Sequence, residues 1–325
     1  METSLKLSTF FRRAVLLVCA LGCTAAMAFP DKPIRIIVPF AAGGGTDVWA
    51  RTFATRLSAR LGQPVIVENR AGSNTQIGAN AVAKADPDGY TLLFTSGTHV
   101  QVPALSLTVP YDVVRDFAPV GRLGTTGLVF VVHPSVKATN MKEFLAEAKG
   151  AEKWSLATYA AGSTGDVFSR ALMQDHNLNI PVIAYKGEGV AITDVIGGQV
   201  QGGFFSIPTT KQLVASGKVK ALGSLSTGQI PSMPAVQSLP DQGLTNYRWP
   251  GIWLGMFAPA KTPQPVLDKL SQAAQAITQD PEFQRDWASR DLNVGWRGPA
   301  DFAQDIQGEI KTWGDLVKAL GIKPQ

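Results

Sequence analysis

The chain has 325 residues, with 30 basic and 25 acidic side chains and a formal net charge of +5, a balance too mild to argue for nucleic acid. Its length suits two α/β lobes with a large apolar core. Both cysteines, Cys19 and Cys23, fall within residues 1–28, so beyond them there is neither a disulfide nor thiolate chemistry to propose.

Lys6, Arg12 and Arg13 precede the apolar run 14–21, and Ala26-Met27-Ala28 places small residues where a signal peptidase reads. Cleavage before Phe29 and export to the periplasm are therefore expected. The run is too short to serve well as a membrane anchor. Cys23, after Ala20-Leu21-Gly22, is only a weak match to a lipid-attachment site, because an Ala stands where Leu is usual.

Residues 34–38 read as a β-branched strand, followed by Pro39, Phe40, Ala41 and Ala42 and the triplet Gly43-Gly44-Gly45. Thr46 and Asp47 then open a helix in which Trp49, Phe53, Leu57 and Leu61 recur every fourth residue. Thr46 can cap it, with Asp47 in the first turn. Such a junction can hold an anion, since glycines admit a ligand to the backbone and the first helical N–H groups are unpaired. The plainer reading is a tight turn, with Asp47 serving the helix dipole.

A strand at 65–68, a helix at 77–85, the turn Asp86-Pro87-Asp88-Gly89 and a strand at 91–95 ending in Ser96-Gly97-Thr98 follow. After an extended stretch near 128–132 the alternation resumes. A helix is expected at 141–149 and a strand at 155–158. The loop Tyr159-Ala160-Ala161-Gly162-Ser163 then leads to a helix at 166–176. Strands at 182–184, 202–206 and 219–225 alternate with helices at 190–196 and 209–216, so two similar α/β halves with parallel strands are implied. The proline-rich stretch 230–251 reads as a crossing connection, 252–258 as an apolar strand, and 264–278, 281–289 and 299–320 as helices. Ligands in open α/β sheets sit at the carboxyl ends of strands, which here selects the loops 40–47, 96–98, 159–166 and 206–209, including Ser206. Trp49 and Trp313 fall at core spacing, whereas Trp249 and Trp253 are the better cleft candidates.

Catalysis is poorly supported. Ala161-Gly162-Ser163-Thr164-Gly165 comes within one residue of a Gly-x-Ser-x-Gly elbow, but His99, His133 and His176 all precede the acids that would have to come before a triad histidine. A secreted serine hydrolase using Ser163 is the remote alternative. The histidines have no metal-ligand spacing, and the glycine loops match no nucleotide fingerprint, so no enzyme activity, metal or cofactor is expected.

Four stretches carry a resemblance. They are Phe29-Pro-Asp-Lys-Pro-Ile-Arg-Ile-Ile-Val-Pro-Phe with Gly-Gly-Gly-Thr-Asp; Val67-Glu-Asn-Arg-Ala-Gly with Ile77-Gly-Ala; Asp86-Pro-Asp-Gly-Tyr-Thr-Leu-Leu; and Tyr185-Lys-Gly-Glu-Gly with Thr193-Asp-Val-Ile-Gly-Gly-Gln-Val. Together they resemble the Bug family of periplasmic solute receptors, the extracytoplasmic subunits of tripartite tricarboxylate transporters. The resemblance implies a type II periplasmic-binding-protein fold: two α/β lobes joined by crossing strands, with a ligand cleft between them. Residues 29–131 with 252–325 would form one lobe and 132–251 the other. It further implies a monomer that binds a dicarboxylate, tricarboxylate, amino acid or aromatic acid and presents it to membrane transporter subunits, or alternatively to a sensor kinase. The carboxylate would be held by Ala41, Ala42, Gly43, Gly44, Thr46 and Asp47 and by Ala160, Ala161, Gly162 and Ser163. Phe40, Ser96, Gly97, Thr98, Tyr159, Asp166 and Ser206 would complete the lining. Three departures stand out: Ala41-Ala42 where Pro-Pro is common, Asn74-Thr75-Gln76 where Gly-Gly-Asn is usual, and an acidic Asp166 in place of a Ser-x-x-His-Leu run, which leaves the ligand type open.

Overall fold

The computed structural model describes residues 29–226, 229–249, 251–319 and 321–322; the expected leader, with Cys19 and Cys23, lies outside the described residues. Strand β1 (Ile34–Val38) is buried at every position except Arg35, as a β-branched run inside a parallel sheet should be. It pairs in parallel with β2 (Val65–Asn69) and with β3 (Thr91–Ser96). Antiparallel pairing then brings in β10 (Ile252–Pro259), β4 (Phe117–Thr126) and β11 (Asn293–Arg297), giving a sheet ordered β11-β4-β10-β3-β1-β2.

In the second sheet β6 (Leu156–Thr158) lies parallel to β7 (Val182–Ala184) and β8 (Gly202–Ser206). Strand β5 (Leu128–Val132) lies antiparallel to β8 and to β9 (Lys220–Ser224), so the order is β7-β6-β8-β5-β9. The first sheet carries helices α1 (Gly45–Leu61), α2 (Gln76–Ala83), α3 (Thr98–Leu105), α8 (Gln264–Thr278), α9 (Pro281–Ser289) and α10 (Pro299–Ala319). The second carries α4 (Met141–Ala148), α5 (Thr164–Asp175), α6 (Glu188–Ile196) and α7 (Ile207–Ala215). Helix α1 shows the expected stripe, with Trp49, Phe53 and Leu57 buried, and it stops at Gly62 in the left-handed region, whose N–H bonds to Ser58 O.

Each sheet has its own aromatic centre. Phe53 packs on Phe94 and Phe283 in the first lobe, and Phe130 on Phe144 and Phe204 in the second. The chain passes between the sheets at Gly127, the residue separating β4 from β5, and returns through 225–251. The lobe boundary expected at residue 131 thus falls inside β5, which pairs along its whole length in the second sheet. Among the described residues no helix is long and apolar enough to cross a membrane.

Candidate ligand-binding cleft

Strands β1 and β6 run into loops with the same plan. Phe40-Ala41-Ala42-Gly43 and Tyr159-Ala160-Ala161-Gly162 each end in a glycine with positive φ, +85° at Gly43 and +71° at Gly162. In both, an aspartate stands four residues beyond the glycine and an arginine four beyond that. The Gly43 N–H donates to Asp47 Oδ2 and the Gly162 N–H to Asp166 Oδ2, both at 2.9 Å. Arg51 Nε reaches Asp47 and Arg170 Nε reaches Asp166, each at 3.0 Å. Both carboxylates are buried and face back into their own loops, where they close the turn.

The two differ in charge balance. Burial pushes the Asp47 carboxyl up, but Arg51, the Gly43 N–H and Asn69 together hold it below the ordinary carboxylate value. At Asp166, which has no counterpart of Asn69, burial outweighs Arg170 and Gly162 and raises it. Helix α1 begins at Gly45, with Gly44 as a cap that makes no side-chain bond. Thr46 is therefore inside the helix and not its cap. Ser163 does cap α5, its Oγ accepting from the Asp166 N–H at 3.2 Å and lying 3.0 Å from Thr158 Oγ1. No histidine is among the hydrogen-bond partners of Ser163, so the elbow-like sequence around it is a helix start.

The lobes meet. The Ala41 N–H donates to Lys186 O at 2.9 Å, Gln101 Nε2 donates to Thr164 Oγ1 at 3.1 Å, and Leu105 lies against Gly162. Two cavities lie between the lobes, and Phe40 and Tyr159 line both. The inner one has only about 20 Å³ of free volume. Of the expected residues it gathers Phe40, Gly44, Thr46, Ser96, Tyr159 and Ser206, and it adds Gly45, Trp49, Thr126, Glu188, Ile252 and Leu254. The outer one, of about 170 Å³, is lined by Phe40, Tyr159 and Ala160 together with Pro39, residues 72–75, Ala184, Tyr185 and Lys186. A wider depression of about 490 Å³, with Lys32, Arg35, Arg70 and Lys84 on its walls, lies at the N-terminal end of β1, away from the glycine loops.

The remaining expected residues shape the cleft without lining these cavities. Ala42 and Gly43 are exposed and Ala161 half-buried. The Gly97 N–H bonds to Trp253 O at 3.2 Å, and Thr98 Oγ1 accepts from Ser96 Oγ at 3.3 Å. The tryptophans exchange roles. Trp253 is buried and donates to Glu309, and Trp249 packs at a tilt against Trp313, ring centroids 4.9 Å apart; neither lines either cavity. Trp49 lines the inner one, and its Nε1 has no partner within the protein, as is also true of Thr75 Oγ1 in the outer cavity, whereas the Tyr159 hydroxyl lies beside the Gly165 N–H and the Ser163 and Thr164 hydroxyls at the start of α5. Burial first, and then the charge of Glu188, push the Tyr159 phenol up, so it keeps its proton.

The sequence profile of the tripartite tricarboxylate transporter family receptor matches residues 49–322. The chain belongs to this family. BugT of Bordetella pertussis is 32% identical over 302 residues, covering 92% of each chain. The structure of the periplasmic binding protein BugD superposes with a TM-score of 0.87 at 32% identity, over 91% of this chain and 100% of that one. MatC of Rhodopseudomonas palustris, solved with bound malate, gives 0.84 at 29% identity, over 89% and 100%. The type II periplasmic-binding-protein architecture implied by the sequence is thus the architecture of this family receptor.

The residue that sequence reasoning missed is Glu188. It follows β7, and the rule that ligands gather at the carboxyl ends of strands covers that loop as well; the signal was available in Tyr185-Lys186-Gly187-Glu188. Trp49 carried no such signal, because a cleft tryptophan and a core tryptophan share the same helical spacing.

Proposed function

We propose that this receptor works in the periplasm, where it closes on one small carboxylic acid and presents it to the membrane subunits of a tripartite tricarboxylate transporter. The observation that carries the reading is the pair of matched strand–glycine–helix loops facing each other across an enclosed cleft. The first brings Gly44, Gly45 and Thr46 at the start of α1 to the inner cavity, the second brings Ala160 to the outer one, and Phe40 and Tyr159 line both. Malate in MatC supports the ligand class. We assign the carboxylate to the outer cavity. There Thr75 Oγ1 and Lys186 supply donors, with bridging water completing the set. Gly43, Asp47, Gly162, Ser163 and Asp166 hold the two loops in shape and do not touch the acid.

A thermal-shift screen of the exported protein against aliphatic and aromatic carboxylates, with the matching amides as controls, tests this. A ligand at about a hundred times its Kd should stabilise the native state by about 2.7 kcal/mol. A hit lost in the amide is the expected result; hits that ignore the carboxylate would overturn the assignment. Export is tested by N-terminal sequencing of periplasmic material, which should begin at Phe29.

A further inference from the structure

The inner cavity contains one carboxylate, Glu188, and no lysine or arginine. Its carboxylate is fixed in place: Oε1 accepts the Ser206 N–H at 2.7 Å, and Oε2 lies 2.7 Å from Ser206 Oγ and 2.6 Å from Thr209 Oγ1. This is the N-terminus of α7, where an anion is favoured. The position that a ligand carboxylate could take on the second lobe is already held by the protein's own carboxylate. All these contacts lie within one lobe, so they do not depend on closure.

When the lobes meet, that charge comes against Gly45. A Cβ there would lie 3.2 Å from Glu188 Oε2. Three aromatic side chains, Phe40, Trp49 and Tyr159, complete the walls. Aromatic faces beside a carboxylate, with no cation to neutralise it, are the chemistry that recognises an ammonium group. A second carboxylate would meet like charge in a desolvated space. Size agrees, since about 20 Å³ of free volume takes one water-sized group, which describes an ammonium better than a carboxylate.

We infer that Glu188 sets the ligand's polarity: the receptor takes an acid whose carboxylate lies in the outer cavity and whose other end is an ammonium beside Glu188. This rests on the carboxylate-receptor reading above and narrows it to zwitterions over dicarboxylates.

Calorimetric titration with two matched pairs tests it: succinate against β-alanine, and glutarate against 4-aminobutyrate. The members of each pair differ only in carrying a carboxylate or an ammonium at one end. The wild-type protein should favour the ammonium member by at least about tenfold, and Glu188→Gln should bring the members within about threefold. Wild-type protein that binds the dicarboxylate as tightly overturns the inference while leaving the carboxylate reading intact, and this comparison holds whatever Glu188→Gln does to folding. A preference that survives in folded Glu188→Gln also overturns it. If no acid in the wider screen binds either protein, the carboxylate reading itself falls, a distinguishable result.

Discussion

Two neighbouring glycines serve opposite needs. Gly43 has φ +85° with nothing within 4 Å of where its Cβ would stand, so it is there for backbone conformation. At Gly45 the need is space, because a Cβ would lie 3.1 Å from Ser206 Oγ and 3.2 Å from both Glu188 Oε2 and the Trp49 ring. Gly43→Ala should therefore cost about 1 kcal/mol of stability while ligand affinity in the folded fraction holds. Gly45→Val should lower the melting temperature through its contact with Trp49 and, in the folded fraction, weaken binding by more than about tenfold, since the lobes can no longer approach to the same distance. Melting curves and calorimetry on both variants separate the two; a Gly45→Val protein with intact affinity would show that the inner cavity is not part of the ligand's site.

At the level of elements, the two loop–helix units show how an identical sequence plan acquires different electrostatics from its surroundings. Removing the Asp47 carboxylate strands the Gly43 N–H and takes one partner each from Arg51 and Asn69, which stay bonded to each other and, through Asn69, to Phe40 O. Asp47→Ala should cost about 2–3 kcal/mol at pH 7. Because the folded-state value is depressed, this stabilisation is present above the unfolded carboxyl value of about 3.9 and fades as pH falls through the folded one. The difference between wild type and variant in urea titrations should therefore shrink toward pH 3. Most elements were legible: β7, β8, α8 and α9 occupy the expected residues, since each has an apolar pattern bounded by turn residues. Three were not. Helix α3 is buried at Thr98, His99, Val100, Gln101, Val102 and Leu105, and contains Pro103, so it has no polar face to give it a period. Strand β4 contains Pro119, Gly121 and Gly124, which read as a loop. The reason for its glycines is tertiary, since a Cβ at Gly121 would lie 2.2 Å from the Trp296 ring and one at Gly124 2.5 Å from Asn293 O. Both neighbours belong to β11, itself too short and polar to stand out. The first glycine loop was visible in the sequence because its chemistry is local. Glu188 was legible only as a residue of a strand-end loop, because its bonds to Ser206 and Thr209 join residues 18 and 21 positions apart.

For the whole molecule, acid stability hinges on a residue remote from the ligand. His99 is buried among Tyr111, Phe117 and Phe257 with both ring nitrogens unpartnered, and burial pushes its pKa down to about 3. The folded protein keeps it neutral while the unfolded chain takes up a proton below about pH 6.5. Stability is thus complete above that value and is lost as pH falls toward 3, by about 2 kcal/mol at pH 5. His99→Phe should abolish this part of the slope between pH 7.5 and 5 in urea denaturation; an unchanged slope would assign the acid sensitivity to other groups.

One feature governs how the lobes can move. Gly127 alone separates β4 from β5, and the two ends of the return connection flank it, with Ile252 paired to Thr126 on one side and Ser224 to Val129 on the other. A crossing one residue long makes Gly127 the natural hinge for a change of angle between the lobes. Under the proposed transport role, occupancy would be reported by that angle. A membrane partner touching both lobes at once would then read it without contacting the solute, so ligand choice could change at the cleft while the recognised surface stayed the same.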